Sequence, residues 1–302
     1  MLFVSCDENE NLNLDQYVVN GFFSDKTPLL VHTAKARSLF DTINGDYPEV
    51  NDLEGSIYEN GNYRGDLVYK RLNQVDFGYP DNMGNPSYQR FNLTGYTIDN
   101  LDFVQGNSYK IELIKNDEVY LSGEDIIPHE VDFEVTDTIS FDIDPNELFY
   151  ESDSRGLRCK IKINDPDNES NYYALGFSTI NEIFTEEIFA LTYCNDPIAE
   201  AIYFHRNMPC EGRILFSDKD FTEDNRSLIV DVAQIRYGIV SGELNVYLFS
   251  LSEKYYKYIK STIKQRENNE DLYAEPVQIY DNIENGYGIF AGFTYHKETI
   301  YY

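Results

Sequence analysis

Tyr109-Lys-Ile-Glu-Leu-Ile-Lys-Asn-Asp-Glu-Val-Tyr-Leu-Ser122 decides the fold class. Apolar residues at 109, 111 and 113 alternate with Lys110 and Glu112, as they do in a strand with one buried face. Asn116-Asp117 can take positive φ and turn the chain back into Val119-Tyr-Leu-Ser122, which makes a β-hairpin. The same texture extends toward the N-terminus. Tyr17-Val-Val-Asn-Gly-Phe-Phe23 and Leu29-Leu-Val-His-Thr-Ala34 flank the turn cluster Ser24–Pro28, and Ser56-Ile-Tyr-Glu59 runs into Asn60-Gly61 before a strand resumes near Tyr63. Asp76–Pro86, rich in Gly, Pro, Asn and Asp, reads as a long loop. Short strands with no helical period over residues 17–128 predict an Ig-like β-sandwich, with Ile127-Pro128 as its boundary.

Residues 129–302 predict a second β-rich domain. Leu157-Arg-Cys-Lys-Ile-Lys-Ile163 alternates, Asn164–Asn168 turns, and Tyr172–Phe177 reads as the return strand. Leu228–Ala233 and Leu244–Phe249 are further strands. Ser252–Arg266 differs. Ser252 can cap a helix, and Tyr255, Tyr256, Ile259 and Ile263 recur at helical spacing opposite Lys254, Lys257, Lys260, Lys264 and Arg266. This basic face reads as solvated and paired with nearby carboxylates, with a docking surface for an acidic partner as the alternative. Asn282, Asn285 and Gly286 invite a turn. Gly288 permits close backbone approach, and Gly292 within Ile289–Phe293 predicts a bulge or tight packing. The fold class is therefore mainly β, with one amphipathic helix.

The 302 residues hold 24 Lys+Arg against 53 Asp+Glu, a net charge of −29. Such a chain repels nucleic acid, because phosphate binding needs clustered cations. With 26 Tyr and 19 Phe it has ample material for a core, which excludes a disordered chain. No apolar run approaches the roughly 20 residues of a membrane-spanning helix.

Leu2-Phe-Val-Ser-Cys6 resembles the bacterial lipobox, in which a small residue precedes the cysteine that receives acyl chains. Phe3 departs from the usual Leu. The five residues before Cys6 lack the basic and extended apolar regions of a full signal, so 1–5 reads as the remnant of a signal peptide. Met1 is then an internal start or the end of a trimmed chain. The alternative is an ordinary N-terminal cysteine. Residues 6–16 read as the lipid attachment site, Cys6, and an acidic flexible tether with Asp7, Glu8, Glu10 and Asp15. An acidic run after the acylated cysteine resembles the signal that sends some Gram-negative lipoproteins to the outer face of the outer membrane. The periplasmic face is the alternative.

The layout as a whole resembles the domain-of-unknown-function 4249 family of Bacteroidetes-type outer-membrane lipoproteins. The segments that carry this resemblance are Val18–Phe23, Tyr109–Leu113 with Ile126-Ile-Pro128, Asn164-Asp-Pro166 with Asn171-Tyr-Tyr173, Leu215–Asp218, Ser252–Tyr258 and, most tellingly, Pro276–Phe293. The resemblance implies a non-enzymatic protein encoded beside a TonB-dependent receptor, with a role in nutrient binding, uptake or surface assembly. It carries no catalytic residues. An independent surface glycan- or peptide-binding protein is the second expectation, since Tyr joins a flat ring to a hydrogen-bonding tip. A hydrolase is the third.

Chemistry-bearing groups are sparse. Asp165, Asp167 and Glu169 place oxygens at alternate positions, as a calcium loop begins, but Ser170 and Gly176 stand where such a loop needs Gly and Glu. Asp218 and Asp220 are similarly incomplete. Cys194, His205 and Cys210 lack paired zinc spacing. Cys194 and Cys210, 16 residues apart, are better read as a disulfide formed in an oxidising compartment, and Cys159 as a buried small hydrophobe. His32, His129, His205 and His296 are scattered with no catalytic motif, so no cofactor, metal or catalytic residue is assigned.

Overall fold

The computed structural model describes residues 17–35, 50–72, 93–142, 155–167, 169–181, 186–189, 191–194, 198–199, 201–203, 213–221, 226–233, 242–270, 275 and 277–302. The molecule is mainly β with one long helix. The deciding alternation is realised as expected, with Tyr109, Ile111 and Leu113 buried and Lys110 and Glu112 on the opposite face.

The first lobe begins with β1 (Tyr17–Phe23), β2 (Leu30–Lys35), β3 (Glu54–Glu59), β4 (Asn62–Leu72), β5 (Leu93–Thr97), β6 (Ser108–Lys115) and β7 (Glu118–Ile126). Two tight hairpins follow from local chemistry. Asn60 and Gly61 take φ 48° and 78° between β3 and β4, and Asn116 and Asp117 take 54° and 64° between β6 and β7. β4 links two arms, because its first half pairs with β3 and its second with β5. The arms fold over one core, in which Val19, Phe23 and Val31 meet Ile57, Tyr109, Ile111 and Leu113. The lobe is thus sandwich-like.

The second lobe comprises β8 (Phe133–Asp142), β9 (Arg155–Ile163), β10 (Tyr172–Asn181), β11 (Glu186–Phe189), β12 (Leu191–Tyr193), β13 (Ala201–Tyr203), β14 (Arg213–Ser217), β15 (Ser227–Ala233) and β16 (Glu243–Leu251). The helix α1 (Glu253–Glu270), β17 (Ile283–Glu284) and β18 (Tyr287–Tyr301) complete the chain. A four-stranded sheet ordered β12-β15-β9-β8 faces the run β13-β14-β10-β16-β18. Between them lie Phe133, Cys159, Ile161, Tyr173, Leu175, Phe216, Val230 and Leu248. Cys159 is a buried core residue, as expected, and burial pushes its thiol up to about 12.

One strand pairing differs from its sequence reading. β10 is not the return strand of β9. β9 pairs with β8 and β15, whereas β10 pairs with β14, β16 and β11 in the facing sheet. The reason is burial on both sides of β10. Tyr173, Leu175 and Phe177 enter the inter-sheet core, and Ala174 enters a second core beneath the helix. A strand covered on both faces belongs inside a layered stack, so the turn after Ile163 crosses between layers.

α1 starts where its cap predicts and runs four residues beyond the Arg266 expected from periodicity. The backbone N–H of Tyr255 donates to Ser252 Oγ at 3.1 Å. Tyr255, Tyr256, Ile259 and Ile263 pack on Phe249, Leu251, Ile289 and Phe293 of the sheet beneath. The basic face behaves as a solvated surface with local partners: Lys257 pairs with Glu253 at 2.8 Å, and Lys254 donates to Glu124 O at 2.5 Å.

β18 unites the lobes. Tyr287–Gly292 runs parallel to β1, and Phe293–Tyr301 runs antiparallel to β16. Ile283 and Phe290, from the C-terminal segment, are buried in the core of the first lobe. The hydrogen-bond ladder therefore crosses the division that the sequence suggests at residue 128. No helix among the described residues is long and apolar enough to cross a membrane.

Candidate functional site

Four segments converge where the lobes join: the β1–β2 turn, Gln105 ahead of β6, the linker Ile127–Asp132, and the second half of β18. The two-residue period of β18 puts Thr294, His296 and Glu298 on one face. Thr294 is fully buried, while His296 and Glu298 are half-buried. Thr294 Oγ1 donates to Asp25 Oδ1 at 2.7 Å, and Gln105 Nε2 donates to Asp25 Oδ2 at 2.7 Å. Gln105 Oε1 in turn accepts the backbone N–H of Glu130 at 2.9 Å.

Glu130 is the hub. One carboxylate oxygen pairs with Lys26 Nζ, and the other lies 2.7 Å from His296 Nδ1. Lys26 also donates to Tyr295 O at 2.6 Å and stands 5.1 Å above the Tyr295 ring. Burial pushes the Glu130 carboxyl up, but its bonds to Lys26 and His296 outweigh burial and hold it below the usual carboxylate range. On the other side of the imidazole, His296 Nε2 lies 3.2 Å from Asp132 Oδ1, and the Phe133 ring meets His296 edge-on at 5.5 Å. Asp132, His296 and Glu298 can each offer one ligand atom within 4.8 Å of the others.

Among the described residues, the groups around His296 are carboxylates and an aromatic ring. Thr294, on the same face, spends its hydroxyl hydrogen on Asp25. The arrangement suits cation holding and charge pairing better than acyl transfer.

The residues singled out from sequence go elsewhere. Asp165 is buried, accepts Tyr173 OH and takes Asn171 Nδ2 at 3.3 Å. Burial holds its carboxyl above the usual range. Arg226 donates to Asp165 O at 2.5 Å and pairs with Asp167. Glu169 is exposed, and Asp218 Oδ2 accepts the backbone N–H of Asn171 at 2.8 Å. Asp165, Asp167, Glu169 and Asp218 form no three-ligand group with one another among the described residues. The Asp220 side chain lies outside the described residues, as do Cys6, His205, Cys210 and the Asp76–Pro86 loop. Cys194 is half-buried, with Sγ 3.4 Å from Ile229 O. The proposed bond between Cys194 and Cys210 therefore lies outside what is described.

Sequence reasoning missed the His296 cluster because His296 matches no motif. The one local signal is His296-Lys-Glu298 on a strand, which places two ligand types on one face.

A family model described as Domain of unknown function (DUF4249) matches residues 4–299. No curated protein matches the chain. Among solved structures, the full-length major pilin SpaD from Corynebacterium diphtheriae is similar at 11% identity, covering 97% of this chain and 68% of that one. Its TM-score of 0.15 carries no argument about fold or function.

Proposed function

The chain belongs to the DUF4249 family, and we propose that it is a lipid-anchored outer-membrane lipoprotein, facing the cell surface, that acts without catalysis beside a TonB-dependent receptor in nutrient binding, uptake or surface assembly. The observation that carries this reading is Leu2-Phe-Val-Ser-Cys6 followed by the acidic stretch Asp7–Gln16. It pairs an acyl-acceptor thiol with a polar spacer ahead of β1. A net charge of −29 keeps a body held at high local density soluble and dispersed. The test is gentle detergent solubilisation from the native host followed by affinity capture. Recovery with a β-barrel receptor supports the reading, and recovery as a lone monomer contradicts it.

A second reading is an independent surface glycan or peptide binder, supported by the exposed rings of Tyr63, Tyr287 and Tyr301. Tyr63 stands edge-on to Tyr58 at 5.9 Å and donates to Asp66 at 2.6 Å, so its ring is held in place. A glycan array and peptide capture without hits would discard it.

A further inference from the structure

We propose that Asp132, His296 and Glu298 form a binding site for a divalent transition metal, zinc by preference, at the junction of the two lobes. This inference is independent of membrane anchoring.

The geometry comes first. Tetrahedral zinc with ligand bonds of about 2.0–2.1 Å needs its ligand atoms about 3.3 Å apart. His296 Nε2 and Asp132 Oδ1 stand 3.2 Å apart, close to that spacing. Glu298 lies two residues along the same face, and all three ligand atoms fall within 4.8 Å. Asp132 is exposed and Glu298 half-buried, so both carboxylates are free to adjust toward His296 Nε2.

The second argument concerns the proton on the imidazole. Glu130 lies 2.7 Å from His296 Nδ1 and is itself held by Lys26 and by the backbone bond to Gln105. A carboxylate on Nδ1 fixes the proton there and leaves the Nε2 lone pair for a metal, the outer-shell arrangement found behind metal-bound histidines. With Nδ1 as donor, Nε2 and Asp132 Oδ1 are two acceptors facing each other at 3.2 Å. A proton on Nε2 or a bound cation satisfies that pair. Glu298 adds a second carboxylate within 4.8 Å, which favours a dication over a lone proton there.

Ligand chemistry selects the metal. One imidazole with two carboxylates favours zinc and its first-row neighbours over calcium and magnesium, which prefer all-oxygen shells. Three protein ligands leave a fourth position for water or for a donor from a bound molecule.

The test uses the full chain, stripped with a chelator and titrated with Zn²⁺ against a chromophoric competitor. Co²⁺ absorption reports the coordination geometry. The expected result is one equivalent bound, unaffected by excess Ca²⁺, with affinity reduced at least about 100-fold in His296→Ala and roughly tenfold in Glu130→Gln. His129→Ala should bind like the parent, which separates this site from stray histidine binding. Should His296→Ala fail to fold, Glu298→Gln at the half-exposed edge replaces it, with a loss of roughly tenfold or more expected. No bound equivalent in the parent, or equal binding in His296→Ala and Glu298→Gln, would overturn the proposal, and a proton alone would then bridge Nε2 and Asp132.

Discussion

Asp125 joins three elements through one carboxylate. Its Oδ2 accepts Ser252 Oγ from the helix cap and the backbone N–H of Gly292 in β18 at 3.1 Å. Burial pushes its carboxyl up to about 6, with the bonds from Ser252 and Gly292 opposing that rise. The folded protein thus keeps this proton to about pH 6, whereas the unfolded chain releases it near pH 4. Folding takes up a proton between those limits, so this group's contribution to stability falls as pH rises through that window and is level above it. Other carboxyls, Glu59, Glu112 and Glu130, shift the opposite way, so the effect is read as a difference between proteins. Asp125→Asn should gain ~3 kcal/mol relative to the parent between about pH 4 and pH 6, measured by urea unfolding, and a pH-independent difference would refute this. Ser252→Ala should cost ~1–2 kcal/mol, because it removes both the cap and a donor to Asp125. The cap was legible from a serine ahead of a periodic run. Its bond to Asp125, 127 residues away in sequence, was not.

At the scale of elements, β18 and α1 hold the architecture. A Cβ at Gly292 would lie 2.0 Å from Ile126 O, and one at Gly288 would lie 2.0 Å from Val19 O. Backbone cannot yield at that distance, so Gly292→Ala should lower stability by at least ~4 kcal/mol or abolish folding, as followed by thermal denaturation. A shift within ~1 kcal/mol would mean that β7 and β18 cross less closely than described. Ile259, on the buried face of α1, should cost ~2–5 kcal/mol on truncation to Ala, with loss of helical ellipticity before loss of sheet signal. Both glycines drew notice in the sequence because a strand interior has no other use for them. The tyrosine-rich helix was legible for the same kind of reason, a period of 3.6 in a chain that otherwise alternates. The β9–β10 relation was not, because alternation reports which face is buried and leaves open the sheet to which a strand belongs. The parallel pairing of β1 with β18 joins opposite ends of the chain, and no local pattern encodes it. The same limit hid the candidate site, where Lys26, Glu130 and His296 meet from three distant segments.

For the whole molecule, three cores share one strand, β18, and the chain carries a net charge of −29. Charge of one sign repels itself, and salt screens that repulsion. The melting temperature should therefore rise between about 0.01 M and about 0.3 M NaCl; a fall would mean that local ion pairs outweigh the net charge. Continuity of β18 through both lobes also predicts that the lobes melt together. The functional account depends on Cys6, whose reading came wholly from sequence. Mass spectrometry of the N-terminal peptide from protein made in its native host tests it most directly. The account predicts a chain beginning at Cys6, with a diacylglyceryl thioether on the sulfur and an acylated α-amine. A bare thiol at Cys6 in protein recovered free of the membrane would contradict it.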